Sequence, residues 1–101
     1  MAEEIEIVLN ESAIRFCAHQ DEEHFFSWLQ ATPEVRNVVG RGNGLHVTIA
    51  KEVSDDSLRS LIALLRRYDV SMKCLRVFTN RRNESWFKNK EMFWYQAVFE
   101  D

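Results

Sequence analysis

All three glycines of the chain fall in one pentapeptide, Gly40-Arg41-Gly42-Asn43-Gly44, and no other feature restricts the fold as much. Val35-Arg36-Asn37-Val38-Val39 precedes it and Leu45-His46-Val47-Thr48-Ile49 follows it. A tight hairpin turn needs positive φ, which glycine and asparagine accept at little cost. Asn43-Gly44 is a strong type I′ turn signal, so residues 35–50 are expected to form a hairpin. Alternation then turns Leu45, Val47 and Ile49 inward. A phosphate-binding reading of these glycines fails. A dinucleotide loop needs G-x-G-x-x-G leading into a helix, whereas here the spacing is G-x-G-x-G and a strand follows.

The same period-2 pattern opens the chain. Ile5, Ile7 and Leu9 share one face of a strand, Asn10-Glu11-Ser12 reads as a turn, and Ile14, Phe16 and Ala18 alternate again. These segments predict a first hairpin over residues 4–18. A helix is expected to begin at Gln20 or Asp21, with Glu22 and Glu23 in its first turn and Phe25, Trp28 and Leu29 on one face. It should end near Ala31, because Pro33 restricts Thr32 to extended backbone. Ser54 is placed to cap a longer helix whose apolar stripe is Leu58, Leu61, Ile62, Leu65 and Tyr68. Asp69-Val70-Ser71 reads as a break, with Ser71 capping a further helix that carries Leu75, Phe78 and Trp86. The last apolar stretch, within residues 91–99, is too short for periodicity to decide, and Asn89 favours helix.

The expectation is a single α+β domain over residues 1–101, in ββαββαα order. Its four-stranded antiparallel sheet comes from two hairpins, with three to four helices on one face. At 101 residues and 46% hydrophobic, the chain can build a real core and is not disordered. Two cysteines, Cys17 and Cys74, are too few for a disulfide scaffold or a four-cysteine zinc site. No apolar run approaches the ~20 residues that cross a bilayer. The acidic start Met1-Ala2-Glu3-Glu4 lacks the form of an export signal, so the expected location is cytoplasmic.

Few residues suggest chemistry. His19 and His24 stand five apart, whereas paired metal ligands on a helix stand four apart, so no metal site is expected. Cys17 with His19 is a weak cue for a nucleophile, and small buried residues explain both cysteines better. Carboxylate pairs at Glu22-Glu23 and Asp55-Asp56 sit where helix N-termini attract acids. With no nucleophile–base grouping, neither an enzyme nor a cofactor is expected.

Charge is more informative. The net charge of -3 hides an uneven division. Residues 1–57 hold 11 acidic and 4 basic side chains, a balance of -7, and residues 58–101 hold 9 basic and 5 acidic, a balance of +4. Glu4, Glu6, Glu11, Asp21, Glu22 and Glu23 are therefore the candidate surface for a basic protein partner, where charge speeds encounter and aromatic anchors add affinity. Between Tyr68 and Phe99 lie eight of the 12 aromatic residues, interleaved with basic ones. Arg76, Arg81, Arg82 and Lys88 there are the alternative, a nucleic-acid surface. The pI of about 5.6 argues against it.

A small, acidic, tryptophan-containing α+β chain with no cofactor motif resembles the immunity proteins of bacterial contact-dependent and polymorphic toxin systems. The resemblance extends to size, charge and element order, without a diagnostic motif. It implies neutralisation of a cognate basic toxin, commonly a nuclease, by masking its active site.

Overall fold

The computed structural model describes residues 3–10, 19–42 and 44–100, with His19 described in its backbone only. Strand β1 (Glu4–Asn10) is followed by helix α1 (His19–Ala31), strands β2 (Val35–Arg41) and β3 (Gly44–Ala50), and helix α2 (Asp55–Arg67). A 3-10 helix (Lys73–Phe78) and two short helices, α3 (Glu84–Phe87) and α4 (Tyr95–Phe99), complete the described chain.

Among the described residues the sheet has three strands, in the order β1-β3-β2, and every pairing is antiparallel. This corrects the expected four-stranded sheet built from two hairpins. β1 pairs along its whole length with β3, Ile5 opposite Ile49, Ile7 opposite Val47 and Leu9 opposite Leu45. Alternation identifies β1 as a strand and the turn signal gives it the following segment as hairpin partner, but neither shows that β3 lies alongside it. The apolar face of β3 matches that of β1 residue for residue. The proposed return strand around Ile14, Phe16 and Ala18 lies outside the described residues.

The second hairpin is present, with its turn one residue earlier than expected. Gly44 is already in β3, paired with Arg41 and with Asn10, and Gly42 holds the positive φ of 56°. Gly44 is favoured for a different reason. A Cβ there would stand 2.9 Å from Val8 Cγ1 on the neighbouring strand.

The described residues form five helical segments, counting the 3-10 helix, instead of the three to four expected, and the helical side of the sheet buries Ile7, Leu9, Leu45, Val47 and Ile49. α1 contributes Phe25 and Leu29, and α2 contributes Leu58, Leu61, Ile62 and Leu65 of the stripe read from the sequence, together with Leu64, which that stripe did not include. Trp28 Nε1 donates to Ser60 Oγ at 2.7 Å, and the Phe25 and Tyr68 rings meet edge to face at 5.3 Å. These contacts set α1 and α2 antiparallel.

α2 is defined at both ends. Ser54 Oγ accepts from Ser57 N–H at 3.1 Å, satisfying one of the free donors of the first turn. At the other end Asp69 takes φ 56°, and Val70 N–H bonds to Leu65 O at 2.8 Å while Asp69 N–H bonds to Arg66 O at 3.2 Å. That is a Schellman termination with aspartate in the place usually held by glycine.

After this break the structure departs from the sequence reading again. Ser71 caps no α-helix. Residues 73–78 wind as a 3-10 helix, Trp86 belongs to the separate α3, and the terminal helix covers only residues 95–99. Asn89 instead closes a turn, its Oδ1 accepting from Glu91 N–H at 2.9 Å. Aromatic contacts hold these short pieces together: Phe87–Phe99 at 5.1 Å, Trp86–Trp94 at 6.0 Å and Phe93–Trp94 at 5.0 Å. Among the described residues no helix is long and apolar enough to cross a membrane.

Candidate functional site

The topology gathers carboxylates at one pole of the molecule. β1 and β2 begin there, β3 ends there, and α2 starts there. Lys51 N–H bonds to Glu3 O at 2.8 Å and Ala50 N–H to Glu34 O at 2.9 Å, while Ser54 N–H donates to Glu34 Oε2 at 2.9 Å. Glu3, Glu4, Glu34, Glu52, Asp55 and Asp56 therefore share this pole with the cations Arg36, Lys51 and Arg82.

Each of those cations already meets a carboxylate. Lys51 Nζ lies 3.2 Å from Glu3, Arg36 Nε 3.6 Å from Glu4, and Arg82 Nη2 3.2 Å from Glu52. All three pairs are exposed, and exposed pairs contribute about 0–1 kcal/mol, so an incoming cation can displace them. Asp55 and Asp56 are exposed and enter no ion pair among the described residues. Glu34 is more tightly held. Burial alone would push its carboxyl up, but hydrogen bonds from the Ser57 hydroxyl and the Ser54 backbone more than offset this. Its pKa lies below the ordinary 4.5.

Two shallow grooves cross the pole. One, of about 410 Å³, runs between Glu3, Ala50, Lys51 and Glu52 on one side and Val77, Phe78, Thr79 and Asn80 on the other. Val77 is an exposed apolar side chain at its rim. The other, of about 380 Å³, continues past Glu52 and Asn80 to Asp55 and Arg82. An acidic rim with an apolar strip beside it suits a basic protein surface, because charge orients the encounter and apolar contact retains it.

The residues singled out from the sequence do not form one patch. Glu4 and Glu6 project from the uncovered face of the sheet, where Glu6 Oε1 meets His46 Nδ1 at 2.9 Å. Asp21, Glu22 and Glu23 begin α1, which the antiparallel helix pairing places at the opposite pole, near the Arg66–Arg67 end of α2. Glu11 lies outside the described residues. Glu3 belongs to the acidic half that the sequence shows, whereas Glu34 and Glu52 are not singled out there and Asp55 and Asp56 read only as first-turn acids of a helix. Strand register brings them together, and a spacing rule cannot show that when Lys51 and Glu3 are 48 positions apart.

The basic candidates are also dispersed. The Arg76 guanidinium donates to Val98 O, tying the 3-10 helix to α4. Arg82 pairs with Glu52, and Lys88 Nζ lies 5.7 Å from the Phe99 ring centre. Arg81 is exposed on a turn built by asparagines: Asn80 Oδ1 accepts from Arg82 N–H and Asn83 N–H, and buried Asn83 Nδ2 donates to Phe78 O at 2.8 Å. Two arginines not singled out beforehand do form an arrangement. Arg59 stacks 4.1 Å over Trp86 and Arg66 4.4 Å over the exposed Phe93. Their spacing of two helical turns along α2 was the available signal.

Among the described residues no cluster of histidine, cysteine, aspartate and glutamate is arranged to hold a metal ion. Burial pushes the Cys74 thiol up to about 11, which leaves almost no thiolate at neutral pH. His24 is exposed on α1, while Cys17 and the His19 side chain lie outside the described residues. Compared with known proteins, the chain matches no family model, no curated protein sequence and no solved structure.

Proposed function

We propose that the protein is a non-enzymatic binding module that captures a basic protein, and that it serves as a cytoplasmic immunity protein masking the active site of a cognate toxin. The acidic pole carries this reading. There the described carboxylates outnumber the cations, the existing ion pairs are exposed and exchangeable, and Asp55 and Asp56 are exposed with no ion pair among the described residues. Val77 and the groove beside it supply apolar area for affinity. Association is then expected to be steered by charge and held by packing.

The test is co-expression with the product of the neighbouring gene, expected to be a basic toxin domain. Growth should be restored by the native chain and lost with Glu52→Lys/Asp56→Lys, provided circular dichroism shows that variant to be folded. Undiminished protection by the folded variant would contradict the role of the pole. A salt-sensitive complex with single-stranded RNA, weakened by Arg81→Ala, would replace the proposal with the nucleic-acid reading.

A further inference from the structure

Among the described residues β1 is an edge strand. It pairs with β3 on one side, and β2 forms the other edge of the sheet. The Lys51 N–H to Glu3 O bond fixes the phase of the ladder. Ile5, Ile7 and Leu9 direct their backbone groups at β3, and Glu4, Glu6 and Val8 direct theirs away from it. Those outward N–H and C=O groups meet no partner among the described residues.

The two edges are not equally defended. Sheets usually blunt an exposed edge with proline, glycine, a bulge, a lysine or a covering segment. β2 follows Pro33, contains Gly40 and carries a register shift between Val35 and Asn37. β1 keeps unbroken register over seven residues and contains no proline, glycine or lysine. Among the described residues its defence is charge, from Glu4 and Glu6 on the face away from the helices. That charge discriminates between occupants. A second copy of β1 would oppose glutamate with glutamate, which is destabilising across strands, whereas lysine or arginine would be attracted.

Space for the other face of an added strand exists at both ends of the edge. The groove lined by Val77 and Phe78 opens beside Glu3, and another of about 270 Å³, lined by Val8, Leu9, Val70 and Cys74, opens beside Asn10. The edge between them spans roughly 20 Å, the length of about six extended residues.

From this we infer that β1 receives an extended segment of the partner as a fourth strand. About five to seven of its residues would alternate between lysine or arginine, facing Glu4 and Glu6, and apolar side chains directed toward the two grooves. This rests on the reading of a basic protein partner and adds the mode of capture.

A blocked heptapeptide alternating lysine and valine serves as the probe. In the free protein the amide hydrogens of Glu6 and Val8 should exchange quickly, and with the peptide bound they should slow by about tenfold or more, while Ile5 and Ile7 change little. Val8→Pro removes an outward donor, leaves both glutamates and spares the β3 ladder, so it should weaken binding about tenfold. If that variant does not fold, N-methylating the peptide on the amides that face β1 should give the same loss with the native protein. Peptide binding without protection of Glu6 and Val8, binding unaffected by the folded variant or by N-methylation, or no binding at millimolar peptide would each overturn the inference. None of these readouts requires a toxin, so failure to protect cells and failure of the edge to accept a strand remain separate results.

Discussion

Two residues show how single contacts support the acidic pole and the sheet beside it. Gly44 permits β1 to approach, since a Cβ there would meet Val8 Cγ1 at 2.9 Å. Gly44→Ala is expected to cost about 1 kcal/mol, and Val8→Ala should restore most of it. Urea midpoints of the double-mutant cycle measure the coupling, and strict additivity would show that the approach is not limiting. Glu34 ties the start of β2 to the cap of α2 through Ser54. Its folded pKa is lowered, so its contribution is full above the ordinary 4.5 and is lost as pH falls through the folded value. Glu34→Gln should therefore be less stable at neutral pH, and the gap from the native chain should close in acid. A gap that persists well below pH 4.5 would exclude the carboxylate as its source.

Among the elements, the long periodic ones were legible and the short aromatic ones were not. The stripe Leu58, Leu61, Ile62, Leu65 and Tyr68 is buried as read, because repeated 3.6-residue spacing leaves a helix only one face to hide. β1 and the 35–50 hairpin followed from alternation and glycine. The pairing of β1 with β3 did not, since alternation is the same whichever strand lies alongside. Beyond Asp69 the backbone is organised by side-chain hydrogen bonds and ring contacts instead of periodicity, so Trp86 and Trp94 were assigned no distinct roles. The structure distinguishes them. Trp94 Nε1 donates to Phe87 O at 2.7 Å in the core, whereas Trp86 Nε1 is buried with no hydrogen-bond partner among the described residues. Trp94→Phe should cost about 1–3 kcal/mol by leaving the Phe87 carbonyl unpaired. Trp86→Phe should cost less, because it removes a donor that is already unsatisfied. Equal losses in thermal melts would contradict that division.

At the scale of the whole molecule, the charge division seen along the chain survives as a local excess of carboxylates at one pole, with different members than the sequence suggested. Glu4 belongs to the acidic pole, but Glu3, Glu34, Glu52, Asp55 and Asp56 join it through strand register and the start of α2. Asp21–Glu23 lie at the other pole, beside the arginine-rich end of α2. Several second-half cations do not neutralise the first half. Arg59, Arg66 and Lys88 stack on aromatic rings, although Arg82 does reach Glu52. The molecule measures 37 × 34 × 22 Å, and its shortest dimension corresponds to one sheet layer and one helix layer. Among the described residues one broad face of the sheet carries no helix, next to the acidic pole and the outer edge of β1. The most direct test of capture by this pole is the rate of association with the neighbouring gene product as ionic strength rises. The native rate should fall by about tenfold or more between low and high salt, and the Glu52→Lys/Asp56→Lys rate should start lower and change less. A native rate independent of salt, or a variant whose salt dependence is as steep, would contradict it.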